Sequence, residues 1–227
     1  MDDYLTERDQ WEALKRWLRE NGAWMVAGVI IGVGALFAYR WWEERAIERA
    51  HTAQARYTEV LSALGRNDRT RAAELTDELQ RDFASMPYTD QAQLVLARSH
   101  VESLEFDAAI QRLRKVMEES KDQQLRLIAR ERIARVQLAQ DRPDEALATL
   151  AAADSPGAFA PRYAELRGDA LLRKGDTAGA IAAYQEALAS KEPGVVDMGQ
   201  LQLKLNDLGA VETPATEAEA APEESTQ

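Results

Sequence analysis

The sequence of 227 residues contains no cysteine and only two histidines. The lack of cysteine excludes disulfide bonds, thiolate metal sites, cysteine nucleophiles and lipids attached through cysteine. It leaves the compartment open, because a well-packed exported domain can fold without disulfides. Proline and glycine are also scarce, at 7 and 12 residues in a chain that is 45% hydrophobic. That composition excludes a mostly disordered or collagen-like protein, and the length allows one or two domains.

The sequence also lacks the motifs of catalysis and metal binding. His51 and His100 stand outside any metal-ligand spacing, and no nucleophile elbow, phosphate loop or dinucleotide-binding loop is present. We therefore predict a protein that is not an enzyme and has no catalytic residue, cofactor or metal site. An enzyme whose site lies hidden between helices is the alternative from another class.

Positive charge is not clustered in this chain, whose formal net charge is -11. Nucleic acid is therefore not an expected partner, because its recognition needs grouped lysines and arginines. Residues 211–227 contain five glutamates, two prolines and no basic residue. They have too little apolar bulk to offset the entropy of ordering, so we predict a disordered acidic tail over residues 210–227.

One apolar segment near the start is long enough to cross a bilayer. Residues 22–39 carry no charge, and a transmembrane helix needs about 20 apolar residues. Tryptophan and tyrosine flank the segment at both ends, as at lipid–water interfaces: Trp24, Tyr39, Trp41 and Trp42. We predict a transmembrane helix over residues 22–42. A cleaved signal peptide is disfavoured, because bulky and charged residues follow the run.

The orientation of this span is not determined by the flanking charges. Four basic residues lie within about 20 residues on each side, so the positive-inside rule is indecisive. Residues 1–21 form a short amphipathic segment with Trp11, Leu14, Trp17 and Leu18 on one helical face. This segment could lie along the lipid surface or be a solvated helix that precedes the span. Inside the span, Gly28, Gly32 and Ala35 share a face on which another helix could pack closely.

The remainder reads as pairs of helices in tandem over residues 43–209. Three segments repeat a helix, a polar turn and an alanine-centred second helix, with Ala109, Ala146 and Ala180 at steps of 37 and 34 residues. The register places small residues in the first helices and large apolar residues in the second. The small residues are Ala97, Ala134 and Gly168, and the large ones are Leu113, Leu150 and Tyr184.

This pattern resembles the tetratricopeptide repeat. We therefore predict an all-α protein, with an N-terminal transmembrane helix followed by a tetratricopeptide-repeat-like α-solenoid. Residues 45–84 form a first pair without a reliable register, and residues 195–208 form a closing helix. A generic helical bundle is the alternative.

Helical solenoids bind partners through the first helix of each pair. Transferring the repeat register predicts a groove of mixed character, with arginines that could bind carboxylates or backbone carbonyls. These arginines could equally pair with neighbouring acidic residues. The predicted groove residues are Leu94, Arg98, Val101, Glu131, Arg135, Leu138, Glu165, Asp169 and Leu172.

The order of these parts resembles the YfgM-type family of ancillary subunits of the bacterial SecYEG translocon. The resemblance covers roughly residues 7–209 and rests on residues 10–16, 20–22, 28–36, 166–176 and 203–208. It implies a single-pass inner-membrane protein with a cytoplasmic N-terminus and periplasmic repeats. It also implies a place beside the SecYEG translocon together with a membrane-anchored parvulin-like periplasmic chaperone, and contact with exported client chains. The alternative is a membrane-tethered scaffold for envelope assembly or division.

Overall fold

The computed structural model describes residues 7–153, 155–189 and 196–210, with side chains from residue 10 onward. The all-α prediction is confirmed over these ranges, which contain helices and no strand. The helices are α1 (Glu7–Gly65), α2 (Arg69–Asp82), α3 (Pro87–Glu102), α4 (Phe106–Glu119), α5 (Gln123–Ala139), α6 (Pro143–Ala151), α7 (Ala160–Arg173), α8 (Thr177–Leu188) and α9 (Met198–Asp207), with a 3-10 turn at Gly157–Phe159. Of the predicted tail over residues 210–227, residues 211–227 lie outside the described residues, as does the first residue of the predicted closing helix.

The chain divides into two compact units, residues 1–55 and 56–227. In the first unit the amphipathic segment and the apolar run belong to one unbroken helix from Glu7. No side chain of the apolar stretch is buried by the protein; Trp24, for example, is 80% exposed. Over the described residues this is the one helix long and apolar enough to cross a membrane.

The second unit consists of helix pairs that coincide with the predicted repeats. Helices α3 and α4, α5 and α6, and α7 and α8 form the three copies, and each core cluster joins one pair to the first helix that follows it. Ala109, Ala146 and Ala180, which set the repeat register, are completely buried. Residues 201–205, in which apolar and polar residues alternate as in a strand, lie within α9.

The turns between paired helices repeat one backbone conformation. The second residue after the first helix has a positive φ of 57–81° at Asn67, Leu104, Asp141 and Gly175, and Gly209 repeats it after α9. In each case the next residue donates its N–H to a carbonyl five residues earlier, at 2.9–3.0 Å. This Schellman arrangement satisfies carbonyls at the end of the first helix and reverses the chain.

The repeated turn gives the first helix pair the register that the sequence left open. Asn67 lies 37 residues before Leu104, and Ala72 lies 37 residues before Ala109. Ala72 is completely buried, like its counterparts. A proline, Pro87, follows this pair in the sequence. It is the first residue of α3, where a missing N–H and a fixed φ suit a helix start.

Candidate interaction surface

A cleft of about 740 Å³ lies among α5, α7 and α9. Five of the predicted groove residues line it: Arg135, Leu138, Glu165, Asp169 and Leu172. The other lining residues are Ala139, Arg162, Leu166, Arg173, Asp197, Gln200 and Lys204. First helices of successive pairs form this wall, and α9 closes it in the position of a further first helix.

Ion pairs cross the cleft between α9 and α7. The Lys204 ammonium donates to Asp169 Oδ1 at 2.7 Å and to Glu165 Oε1 at 3.1 Å. Arg162 donates to Glu165 Oε2 at 3.3 Å. The carboxylate of Glu165 is buried, and two cationic partners compensate the loss of its hydration. The cleft is therefore lined by charges that are already matched.

A second set of ion pairs centres on Glu131 of α5, with one partner on the same helix and one on α7. Arg135 and Arg162 both face Glu131 Oε1, at 2.8 and 3.6 Å. Glu131 is buried beneath these arginines and lines neither hollow directly. It positions the arginines that do line them. The pairing of Arg135 with Glu131 corresponds to the alternative that the sequence left open for the groove arginines.

Tyr184 of α8 contacts two residues that line the cleft, Asp169 and Lys204. Its hydroxyl donates to Asp169 Oδ1 at 2.7 Å, and the Lys204 ammonium lies 5.3 Å from the ring centroid. Burial and the neighbouring Asp169 carboxylate raise the pKa of Tyr184 well above 10. The phenol thus remains a hydrogen-bond donor at physiological pH, and Asp169 accepts from both α8 and α9.

A smaller hollow of about 250 Å³ lies between α3 and α5. The remaining predicted groove residues, Leu94, Arg98 and Val101, line it together with Arg135. Its other lining residues are Ala97, Leu113, Arg132 and Val136. Arg98 pairs with Glu102 at 2.8 Å on the solvent side. Arg135 lines both hollows, so the structure brings eight of the nine predicted groove residues, all but Glu131, into two adjacent depressions.

Sequence reasoning missed several residues of this surface. Arg162, Lys204, Asp197 and Gln200 line the larger cleft, and Arg132 lines the smaller hollow. Lys204 carried no signal, because its role depends on how α9 packs against α7. Arg132 could have been found, since it lies one turn before the predicted Arg135 on α5.

The predicted helix-packing face of the span is open within the protein. A β-carbon built on Gly28 or Gly32 meets no atom within 4 Å, and Ala35 is exposed. Among the described residues, no group of three or more His, Asp or Glu side chains is placed to hold a metal ion. His51 is exposed, and His100 Nδ1 lies 2.6 Å from Glu105 Oε2.

Stacked two-helix repeats, each with the same turn containing one residue of positive φ, define a helical-repeat protein of the tetratricopeptide type. A family model described as a tetratricopeptide repeat-like domain matches residues 15–210. The solved structure of MamA, residues 41 to the end, from Desulfovibrio magneticus RS-1 is 17% identical, with a TM-score of 0.48 over 69% of this chain and 87% of that chain.

Curated relatives match along almost their whole length. A protein named ancillary SecYEG translocon subunit from Escherichia coli (strain K12) is 35% identical over 212 residues, 92% of this chain and 99% of the relative. One of the same name from Haemophilus influenzae is 28% identical over 204 residues, 90% of this chain and 98% of the relative. The chain therefore belongs to the family of ancillary SecYEG translocon subunits.

Proposed function

We propose that this protein is a membrane-anchored, non-catalytic interaction subunit that associates with the SecYEG translocon. The observation that carries the proposal is the end-to-end match to relatives of that name, which includes the apolar helix as well as the repeats. The protein assists export to the periplasm and acts together with a membrane-anchored parvulin-like chaperone. It uses no catalytic residue, cofactor or metal.

The proposed topology places residues 22–42 across the inner membrane. The support is that the apolar run, none of which is buried by the protein, needs a nonpolar environment to cover it. The N-terminus lies in the cytoplasm and the repeats lie in the periplasm, as the family resemblance implies. The single span leaves the helix pairs from α2 onward free to meet exported chains.

Partner binding is assigned to the two hollows along α3, α5, α7 and α9. Their lining combines apolar side chains with arginines on the rim, a composition suited to segments of other polypeptides. Leu138 and Leu172 offer apolar contacts in the larger cleft. The face formed by Gly28, Gly32 and Ala35 is assigned to packing against a membrane helix of a partner.

The proposal is tested by purifying the tagged full-length protein from native membranes in a mild detergent and identifying the proteins that accompany it. We expect SecYEG subunits and a parvulin-like chaperone. The matched control replaces residues 22–42 with an unrelated single span and keeps the repeats. Recovery of envelope-assembly or division proteins without SecYEG would support the scaffold alternative. Recovery of SecYEG without the chaperone would retain the translocon assignment and remove the chaperone.

A further inference from the structure

The smaller hollow combines a rigid apolar floor with a rim of arginines. Leu94, Ala97, Leu113 and Val136 form the floor and belong to the core cluster shared by the first two predicted repeats, with Val101 packed beside them. Core membership fixes these side chains before any partner arrives, so binding does not have to order them. The hollow is a preformed site.

Its size suits a side chain better than a complete small molecule. The volume of about 250 Å³ lies below the ~300–1,000 Å³ that is typical of pockets for drug-sized ligands. The floor offers almost no polar group that could orient a cofactor. An isolated leucine or phenylalanine side chain needs only apolar contact, and its burial is favourable.

The rim supplies positive charge that a partner can use. Arg98, Arg132 and Arg135 surround the opening. Arg98 pairs with Glu102, but these side chains are 78% and 61% exposed, so the pair contributes little and can be exchanged. Arg135 is held by Glu131. Arg132 is exposed and has no carboxylate partner within residues 7–153, 155–189 and 196–210.

We infer that this hollow binds one leucine- or phenylalanine-sized side chain of a partner polypeptide whose flanking residues carry carboxylates. The flanking carboxylates pair with Arg98 and Arg132, while the apolar side chain covers Leu94, Val101 and Val136. The inference rests on the proposed function, since it names the chemistry of the segment that the groove receives. The acidic tail of this chain does not fit, because its bulkiest apolar side chain is that of Val211.

The test measures fluorescence anisotropy of labelled peptides with the full-length protein in detergent. The probe peptide is Gly-Glu-Asp-Leu-Phe-Asp-Glu-Gly-Ser. A second peptide replaces its leucine and phenylalanine with serine, and a third replaces its acidic residues with lysine. We expect the serine peptide to bind at least about tenfold more weakly, because the apolar side chain no longer enters the hollow. We expect the lysine peptide to bind more weakly than the acidic peptide, because the arginines at the rim repel its ammonium groups.

The matched protein variants reverse charge on and off the rim. The double variant R98E/R132E is expected to lose at least about fivefold in affinity for the acidic peptide and to gain affinity for the lysine peptide. The control R114E reverses an exposed arginine on α4 that does not line the hollow, and we expect a change below about twofold. Circular dichroism checks the fold of each variant. Val101→Phe is also expected to lose binding, because the larger side chain fills the hollow.

Equal affinity for the three peptides, or an equal effect of R114E and R98E/R132E, would overturn the inference. The outcome is separable from that of the proposed function. If SecYEG accompanies the wild-type protein from membranes and no peptide binds, the hollow alone has been misassigned. If peptides bind with the expected preferences and SecYEG is absent, the translocon assignment fails and the hollow stands.

Discussion

The ring of Tyr184 occupies the space in which a β-carbon on Gly168 would lie. Such an atom would be 2.6 Å from Cδ1 and 3.0 Å from Cζ of the ring, and closer still to Cε1. Neither side can give way, because Tyr184 is completely buried and its hydroxyl is fixed on Asp169. The preceding repeat places Ala134 and Leu150 at the same two positions. A smaller residue on α7 thus accompanies a larger one on α8.

We predict that Gly168→Ala destabilises the repeat domain. Overpacking of a filled core costs about 1–3 kcal/mol, and the short distances to the buried ring place this site in the upper part of that range, above the gain of about 1 kcal/mol from replacing glycine in a helix. Chemical denaturation with detection by circular dichroism measures the loss. The control is Gly199→Ala in α9, where the added carbon meets only a carboxylate oxygen of the exposed Asp197, at 3.3 Å. That variant is expected to be neutral or slightly more stable.

Because residues 168 and 184 are matched in size, a smaller side chain at position 184 should rescue Gly168→Ala. Combining Gly168→Ala with Tyr184→Leu recreates the alanine and leucine of the preceding repeat. The double variant should lose at least about 1 kcal/mol less unfolding free energy than the two single variants lose in sum, since the residues are in direct contact. Strict additivity in this double-mutant cycle would mean that the ring does not exclude the methyl group.

The repeat could be predicted because its signal is local. Ala109, Ala146 and Ala180 recur at a nearly constant step and are all buried. Ala72 obeys the same step, but the surrounding sequence lacks the large apolar partner. Its place is taken by Thr76, whose buried hydroxyl donates to the Ala72 carbonyl at 2.7 Å. A polar residue in the core position concealed the register of the first pair.

The turns and the cleft contacts depend on more than local sequence. Glycine suits a positive φ, so Gly175 was a recognisable turn, whereas Leu104 adopts the same conformation with a side chain that disfavours it. That turn connects α3 and α4, which pack in one core cluster, while the Leu104 side chain itself is 75% exposed. The bonds of Lys204 with Asp169 and Glu165 join residues 35 and 39 positions apart, and their geometry exists only when α9 has packed on α7.

We predict that Lys204→Met loosens α9. The substitution leaves Glu165 with Arg162 and Asp169 with the Tyr184 hydroxyl, so the loss should be about 1–2 kcal/mol rather than the larger cost of an isolated buried charge. Hydrogen exchange of the α9 amides should accelerate. Lys174→Met is the control. Lys174 pairs with Asp144, whose side chain is 79% exposed, so loss of this ion pair should cost less than about 0.5 kcal/mol. Equal effects of the two variants would contradict the prediction.

We predict that Asp77→Asn removes an acid-sensitive contribution to stability. Burial raises the pKa of Asp77, but hydrogen bonds and charge from Arg112 at 2.5 Å and Lys115 at 3.4 Å lower it, and the net pKa is below the ordinary 3.8. The folded protein therefore holds this proton less tightly than the unfolded chain. The resulting stabilisation is present above pH 3.8 and is lost as the pH falls through the lowered pKa.

The difference in unfolding free energy between wild type and Asp77→Asn should accordingly be largest near neutral pH and vanish in strong acid. Its size should be at most about 1 kcal/mol, because the Asp77 side chain is 46% exposed. Urea titrations across the acid range provide the measurement. Glu74→Gln, which removes an exposed carboxylate from the same helix, is the control. A difference that grew toward low pH would have the wrong sign.

The absence of cysteine allows a clean test of topology. Glu12→Cys and Gln111→Cys each introduce one thiol at an exposed position, before the span and in the repeats. With the N-terminus in the cytoplasm, a membrane-impermeant maleimide should label the Gln111→Cys variant in intact spheroplasts and the Glu12→Cys variant only after lysis. Labelling in the reverse order would overturn the proposed orientation and leave the single span unaffected.

We predict that the face of Gly28, Gly32 and Ala35 contacts a partner helix inside the membrane. At 100° per residue these positions point to one side of α1, and Ile30 and Phe37 point to the other. A photoreactive diazirine side chain at Ala35 should therefore form adducts with a translocon or chaperone subunit, while the same group at Phe37 should react with lipid. Close approach depends on the small residues, so the double variant G28L/G32L should remove the protein adducts at Ala35. The matched variant I30L/F37L should retain them, and protein adducts of equal yield from both faces would show that this glycine face is not the contact.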